Sequence, residues 1–216
     1  MSESERSADP RVPAHEHVYR SLRGRIMQGE VEPGASLTLR GIAGSFDVSM
    51  TPAREAVRRL VAEGALKLSS SGRVTTPELS NDRIEELAAL RVLLEPELGA
   101  RALPRAHAVL IDRMEDLNER IRGVIRTGTA TEYIRANHEF HRMLYLRAQA
   151  PAMLALVETV WLQLGPTMQA LYAHLQRPSA SLNHSKIISA LRAGDEASLR
   201  LALREDVTAG LRLLSR

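Results

Sequence analysis

Apolar residues recur at helical spacing along almost the whole chain, and the interruptions divide it into parts. Val18, Leu22 and Ile26 fall one turn apart within residues 14–28, and Gly-Glu-Val-Glu-Pro-Gly at 29–34 then makes a turn. Leu39, Ile42, Ala43 and Phe46 form a second stripe at i, i+3, i+4 and i+7. Asp47-Val48-Ser49 ends it, and Ala53, Ala56, Val57, Leu60 and Val61 form a third. Thr51 is expected to cap this third helix and Pro52 to occupy its first position, where a missing N–H costs nothing. Gly64 suits the helix end, and residues 65–68 and 73–76 are expected to pair as a hairpin around Ser69–Gly72. A helix, a helix-turn-helix and a hairpin in that order describe a winged helix-turn-helix, whose second paired helix enters the major groove of DNA.

Residues 76–80, Thr-Pro-Glu-Leu-Ser, separate this unit from a longer one, and Ser80 is placed to cap the next helix. Beyond it the pattern predicts helices near 81–102, 106–126, 129–148, 151–176, 180–193 and 195–215, punctuated by Pro104, Gly128, Pro151, Pro178 and Gly194-Asp195. The expected fold class is mainly α: a polar, disordered tail at 1–12, a winged helix-turn-helix at 13–77, and an antiparallel six-helix bundle at 78–216.

Composition narrows the picture. The 216 residues are 44% hydrophobic but only 3% aromatic, so the core rests on Leu, Ala, Val and Ile. The net charge is only +3, and residues 13–77 carry nine Lys and Arg against six Asp and Glu. Affinity for a polyanion must therefore come from local placement and dimerisation. Nearly every base is Arg, with Lys only at 67 and 186, and Arg suits bidentate contacts to guanine and phosphate. The absence of cysteine excludes disulfides and thiolate metal sites. No apolar run is long enough for a membrane span and the first residues are polar, so a cytoplasmic location without membrane partners is expected.

Candidate chemistry lies in two places. With the third stripe turned inward, Arg54, Arg58 and Arg59 fall on or beside the open face, Arg54 and Arg58 one turn apart. Ser71-Gly72-Arg73 forms the hairpin tip, where Gly72 permits close backbone approach. In the second unit, Arg91 sits among Ile84, Leu87, Leu90, Leu94 and Leu98 and must face a buried acid, a ligand or a cavity, or snorkel to the edge. Asn137 and His141 are one turn apart and share a face. A histidine there is ordinarily a satisfied core residue, yet with His184 and Asp206 it supplies the N and O donors that hold Zn²⁺, Ni²⁺ or Mn²⁺. His174 is a further candidate ligand or an exposed helix edge, His138 beside Glu139 reads as solvated, and His15, His17 and His107 read as incidental.

Residues 15–77 resemble the DNA-binding domain of GntR-type bacterial transcription regulators, through IMQGEVEPGASL, VSMTPAREAVRRLVAEGAL and the SGRV wing in that order and spacing. The resemblance places DNA contacts on Arg40, Ser49, Thr51, Pro52, Arg54 and Gly72, while Met50 stands where the family has an Arg. ALRVLLEP at 89–96, NHEFHRMLY at 137–145 and NHSKIISALRAGDEASLRLALREDV at 183–207 resemble the FCD-type effector domain of the FadR-like branch, and six helices suggest its VanR-like subgroup. That resemblance implies a divalent metal held by positions that are Asn137, His141, His184 and Asp206 here, with Asn for the usual Asp and Asp for the usual final His. It further implies a small carboxylate beside the metal, assisted by Arg91. The expectation is a homodimeric, cytoplasmic repressor that binds a palindromic double-stranded operator and is released by a small anionic metabolite. The alternatives are the same regulator with a metal-free pocket, and a metal-dependent hydrolase.

Overall fold

The structure is a computed structural model, and it describes residues 12–175 and 183–212. The expected tail thus lies almost wholly outside the described residues, as do the side chain of His174 and residues 176, 180–182 and 213–215 of three expected helices.

The first unit holds α1 (Ala14–Met27), α2 (Leu39–Ser45) and α3 (Met50–Ala62), with β1 (Ser36–Leu37), β2 (Lys67–Leu68) and β3 (Val74–Thr75). Val18, Leu22, Ile26, Ile42, Val57, Leu60 and Val74 close one apolar core. The hairpin of β2 and β3 is the expected wing, with Leu68 opposite Val74. A third strand was not expected: β1 pairs with the other edge of β3, Leu37 opposite Val74. Two residues are too few for a period-2 signal.

The start of α3 corrects the expected cap. Val48 N–H bonds to Ala43 O at 3.0 Å and Asp47 takes φ 50, so the turn is complete by residue 48. Ser49 is then the extended N-cap residue, without a side-chain cap bond, and Met50, Thr51 and Pro52 are the first three helical residues. Pro52 is tolerated because N–H groups in a first turn have no helical acceptor.

The second unit is helical: α4 (Asn81–Ala102), α5 (Ala108–Thr127), α6 (Ala130–Tyr145), α7 (Pro151–Leu164), α8 (Met168–Leu175), α9 (His184–Ala193) and α10 (Glu196–Arg212). Ser80 Oγ caps α4 as expected, accepting from Arg83 N at 3.3 Å. The single helix expected over 151–176 is broken by a tight turn at Gly165–Thr167, so among the described residues seven α-helices stand where six were expected. Helix number therefore does not assign a subgroup. The break has two causes. Pro166 has no N–H for a helical bond, and Gly165 runs so close to α1 that a Cβ would lie 2.3 Å from Ile26 O.

That approach is part of a joint between the units. Leu162 of α7 is fully buried in the core of the first unit. Its neighbour Gln163 donates Nε2 to Glu63 O at the end of α3 (2.9 Å) and accepts from Arg83 Nη2 of α4 (2.8 Å). Gln169 donates to Gly29 O, and Arg135 Nη2 donates to Gln28 Oε1 at 2.9 Å.

Candidate functional site

Two surfaces carry chemistry. On the winged unit, bases divide by partner. Arg20, Arg23, Arg25 and Arg59 all pair with Glu16, Glu30 or Glu63. Arg59 also lies 3.6 Å over the Tyr19 ring, so it braces α3 against α1 rather than serving the open face. Arg40, Arg54, Arg58 and Lys67 are exposed and have no acidic partner among the described residues. They lie at the start of α2, along the outer side of α3 and on the wing. Ser49 and Thr51 are exposed and Pro52 half-buried at the tip of α3. Gly72 has φ 81 and open space where a Cβ would stand, so the wing tip is free to meet a groove. Arg73 is exposed, and its Nε reaches back to Ser36 Oγ at 3.1 Å, which ties it to the base of the wing. Within this unit, the positive charge without an acidic partner among the described residues thus lies on the elements that a winged helix-turn-helix presents to DNA.

The second surface is internal, where α4, α6, α7, α9 and α10 each contribute a side chain. Arg91 faces a buried acid. It donates Nε to Glu95 Oε1 at 2.5 Å and Nη2 to Oε2 at 3.4 Å, one helical turn away. Burial works against both charges, but their attraction outweighs it, holding Glu95 below the usual carboxylate range and Arg91 above its ordinary value. Trp161 Nε1 also donates to Glu95 Oε1 (3.0 Å), and Tyr145 Oη to Oε2 (2.8 Å).

Tyr145 then sets the state of His141. Its single proton is given to Glu95, so at 3.3 Å from His141 Nδ1 its oxygen can only accept. His141 therefore carries its proton on Nδ1 and aims Nε2 at Asp206 Oδ2, 3.2 Å away, without hydrogen-bond geometry. A lone pair facing a carboxylate is repelled unless a proton or a metal ion stands between them. His184 Nε2 lies 3.9 Å from Asp206 Oδ1, and both its ring nitrogens are buried without partners. Its ring stacks on Phe140, centroids 4.0 Å apart, and burial lowers it to about 4 against the pull of Asp206. Burial works to raise Asp206, but the His141 contact and the charges of His184, His141 and Arg91 bring it down to about 2.

Among the described residues, His141, His184 and Asp206 form the group suited to a metal, with ligand atoms all within 4.8 Å of one another. Asn137 is buried one turn before His141 on the same helix. Donors about 2.1 Å from an ion are spaced roughly 3–4 Å apart, so the group needs only slight contraction. The orphaned nitrogens beside an ionised carboxylate fit a borderline divalent ion.

Sequence reasoning missed four members of this network. Glu95 was legible in principle, as the only acid one turn from Arg91 toward the C-terminus. Tyr145 and Trp161 gave no local signal, since the Glu95 carboxylate that both bind comes from another helix. His138 is corrected: it is not solvated, because its half-buried ring stacks on Trp161 at 4.8 Å and its Nδ1 is enclosed without a partner. Burial, with the charges of Arg91 and His141, lowers it to about 3.

Comparison with known proteins agrees with this division of labour. Residues 86–209 match the FCD domain, and residues 14–75 match the bacterial regulatory proteins of the gntR family. The chain is 26% identical over 201 residues to the HTH-type transcriptional regulator McbR of Escherichia coli, covering 91% of this chain and 90% of that protein. It is 26% identical over 199 residues to the gluconate operon transcriptional repressor of Bacillus subtilis, covering 88% and 80%. The solved structure of E. coli McbR/YncC superposes with a TM-score of 0.85 at 26% identity over 94% of this chain and 97% of that one.

Proposed function

The chain belongs to the FCD-domain branch of the gntR family of bacterial regulators, and from that premise we propose a repressor released from its operator by a small carboxylate metabolite held at a divalent metal. It is a DNA-binding transcription regulator and not an enzyme, as its relatives are. Among the described residues no helix is long and apolar enough to cross a membrane.

The observation that carries the proposal is the pair of partnerless imidazole nitrogens, on His141 and His184, facing Asp206. His141, His184, Asp206 and Asn137 would hold the ion, which when bound supplies the positive charge that an anionic ligand requires. The charge balance of the chain makes that supply necessary. Arg91 is neutralised by Glu95, and Asp206 adds a negative charge, so these residues alone do not attract a carboxylate. Arg91 retains Nη1 for a ligand while Glu95 fixes its orientation.

The joint at α7 supports a route from pocket to DNA. Trp161 touches Glu95 and His138, the adjacent Leu162 sits in the winged core, and Gln163 holds the end of α3. A ligand that moves Trp161 displaces the next two residues with it and biases the aim of the recognition helix. Two copies aimed at a palindrome provide the specificity that a single recognition helix lacks.

Metal analysis of the purified full-length protein tests the reading. The expected result is near-stoichiometric divalent metal, abolished by His141→Ala together with His184→Ala. Carboxylates should raise the melting temperature only when the metal is present. At 3.2 Å the His141–Asp206 pair is also close enough to share a proton after slight reorientation, which would give the same regulator without a metal. Metal-free protein stabilised equally by carboxylates would establish that version instead.

A further inference from the structure

Met50, the first residue of α3, is an apolar side chain 40% exposed on a face otherwise marked by free positive charge. A lone surface apolar residue needs no explanation by itself. Met50, however, stands in register with Arg54 and Arg58, at i, i+4 and i+8, so the three form one stripe along the helix. Ala53, Ala56, Val57 and Leu60 are buried on the opposite side, which fixes the rotation of α3 and turns this stripe away from the core. The stripe begins at the helix N-terminus, the end that approaches base edges when such a helix docks in the major groove.

A thioether donates no hydrogen bond and accepts weakly, so Met50 cannot read the polar edge of guanine, adenine or cytosine. It is long, unbranched and adaptable, suited to apolar contact of irregular shape. The major groove offers one apolar group, the C5-methyl of thymine. We propose that Met50 is a specificity-determining residue that packs on a thymine methyl in each half-site, with Arg54 one turn further along supplying the polar contacts. The proposal rests on the DNA-binding assignment and adds to it the identity of one base.

The test uses the full chain and a random double-stranded DNA library, selected at fixed salt. Each thymine of the selected half-site is then replaced by uracil, which removes the methyl and leaves the hydrogen-bonding edge unchanged. The expected result is one thymine per half-site where uracil weakens binding by about fourfold, the worth of one buried methyl. In Met50→Ala that sensitivity should vanish, and Met50→Arg should select guanine at the same place. Met50 is exposed and not part of the winged core, so both variants should melt close to the parent. Uracil tolerated at every position, or sensitivity persisting in Met50→Ala, would overturn the assignment of Met50 while leaving DNA binding intact. If the parent chain enriches no sequence at all, the DNA-binding assignment fails and Met50 with it.

Discussion

Tyr145 has one proton to give, and Glu95 takes it. The consequence is felt at His141, whose protonated nitrogen is fixed by the oxygen that remains. Groups that orient a ligating histidine in this way commonly contribute 10–100-fold to metal affinity. Tyr145→Phe removes that oxygen and little volume. We expect it to weaken metal binding by roughly that factor in a competition titration against a chelating dye. Affinity unchanged from the parent would show that the histidine is oriented by packing alone. At this scale the sequence was informative only in part: an Arg in an apolar face left a buried acid, a ligand, a cavity or snorkelling open, and the structure selects the acid, Glu95, one turn away on the same helix. It was uninformative at His138, which lies toward the polar side of α6 but is covered by Trp161 from α7. No pattern within residues 130–145 announces a ring supplied by another element.

Helix α7 is the element on which both units depend. Truncating a fully buried leucine costs about 2–5 kcal/mol, and Leu162 is buried in a core to which its own domain does not belong. Leu162→Ala should therefore destabilise the winged unit by an amount in that range, read by urea denaturation. It should also separate two responses that are joined in the parent. Ligand and metal should still stabilise the bundle, while release of DNA on ligand addition should be blunted. A variant that lets go of DNA as readily as the parent would exclude α7 as the route. Periodicity placed most elements within a few residues, because their stripes match their buried faces. It failed where tertiary contact decides the backbone. The break at Gly165 follows from the nearness of Ile26 O, and β1 exists only because β3 has an edge to offer. The cap of α3 was misplaced because Asp47 closes the preceding turn with a left-handed φ that sequence alone does not reveal.

Across the whole molecule, burial of ionisable groups couples the pocket to stability. His184 is fully buried and its folded value is lowered to about 4, whereas an imidazole in the unfolded chain titrates near 6.5. Below that point the unfolded chain takes up a proton that the folded one refuses, so acid favours unfolding. The loss begins as pH falls through about 6.5 and levels off near 4, at up to roughly 1.4 kcal/mol per pH unit for this one group. Asp206, lowered to about 2, contributes in the other window: its stabilisation is intact above its usual range and disappears as pH falls through 2. Denaturant melts of chelator-treated protein between pH 7 and 4 should therefore show a steady fall. In His184→Gln the imidazole contribution is absent, so the slope should be shallower by about one group's worth. Equal slopes in the two proteins would mean that His184 is solvated in the folded state, and the buried His141–His184–Asp206 cluster proposed to hold the ligand would be open to water.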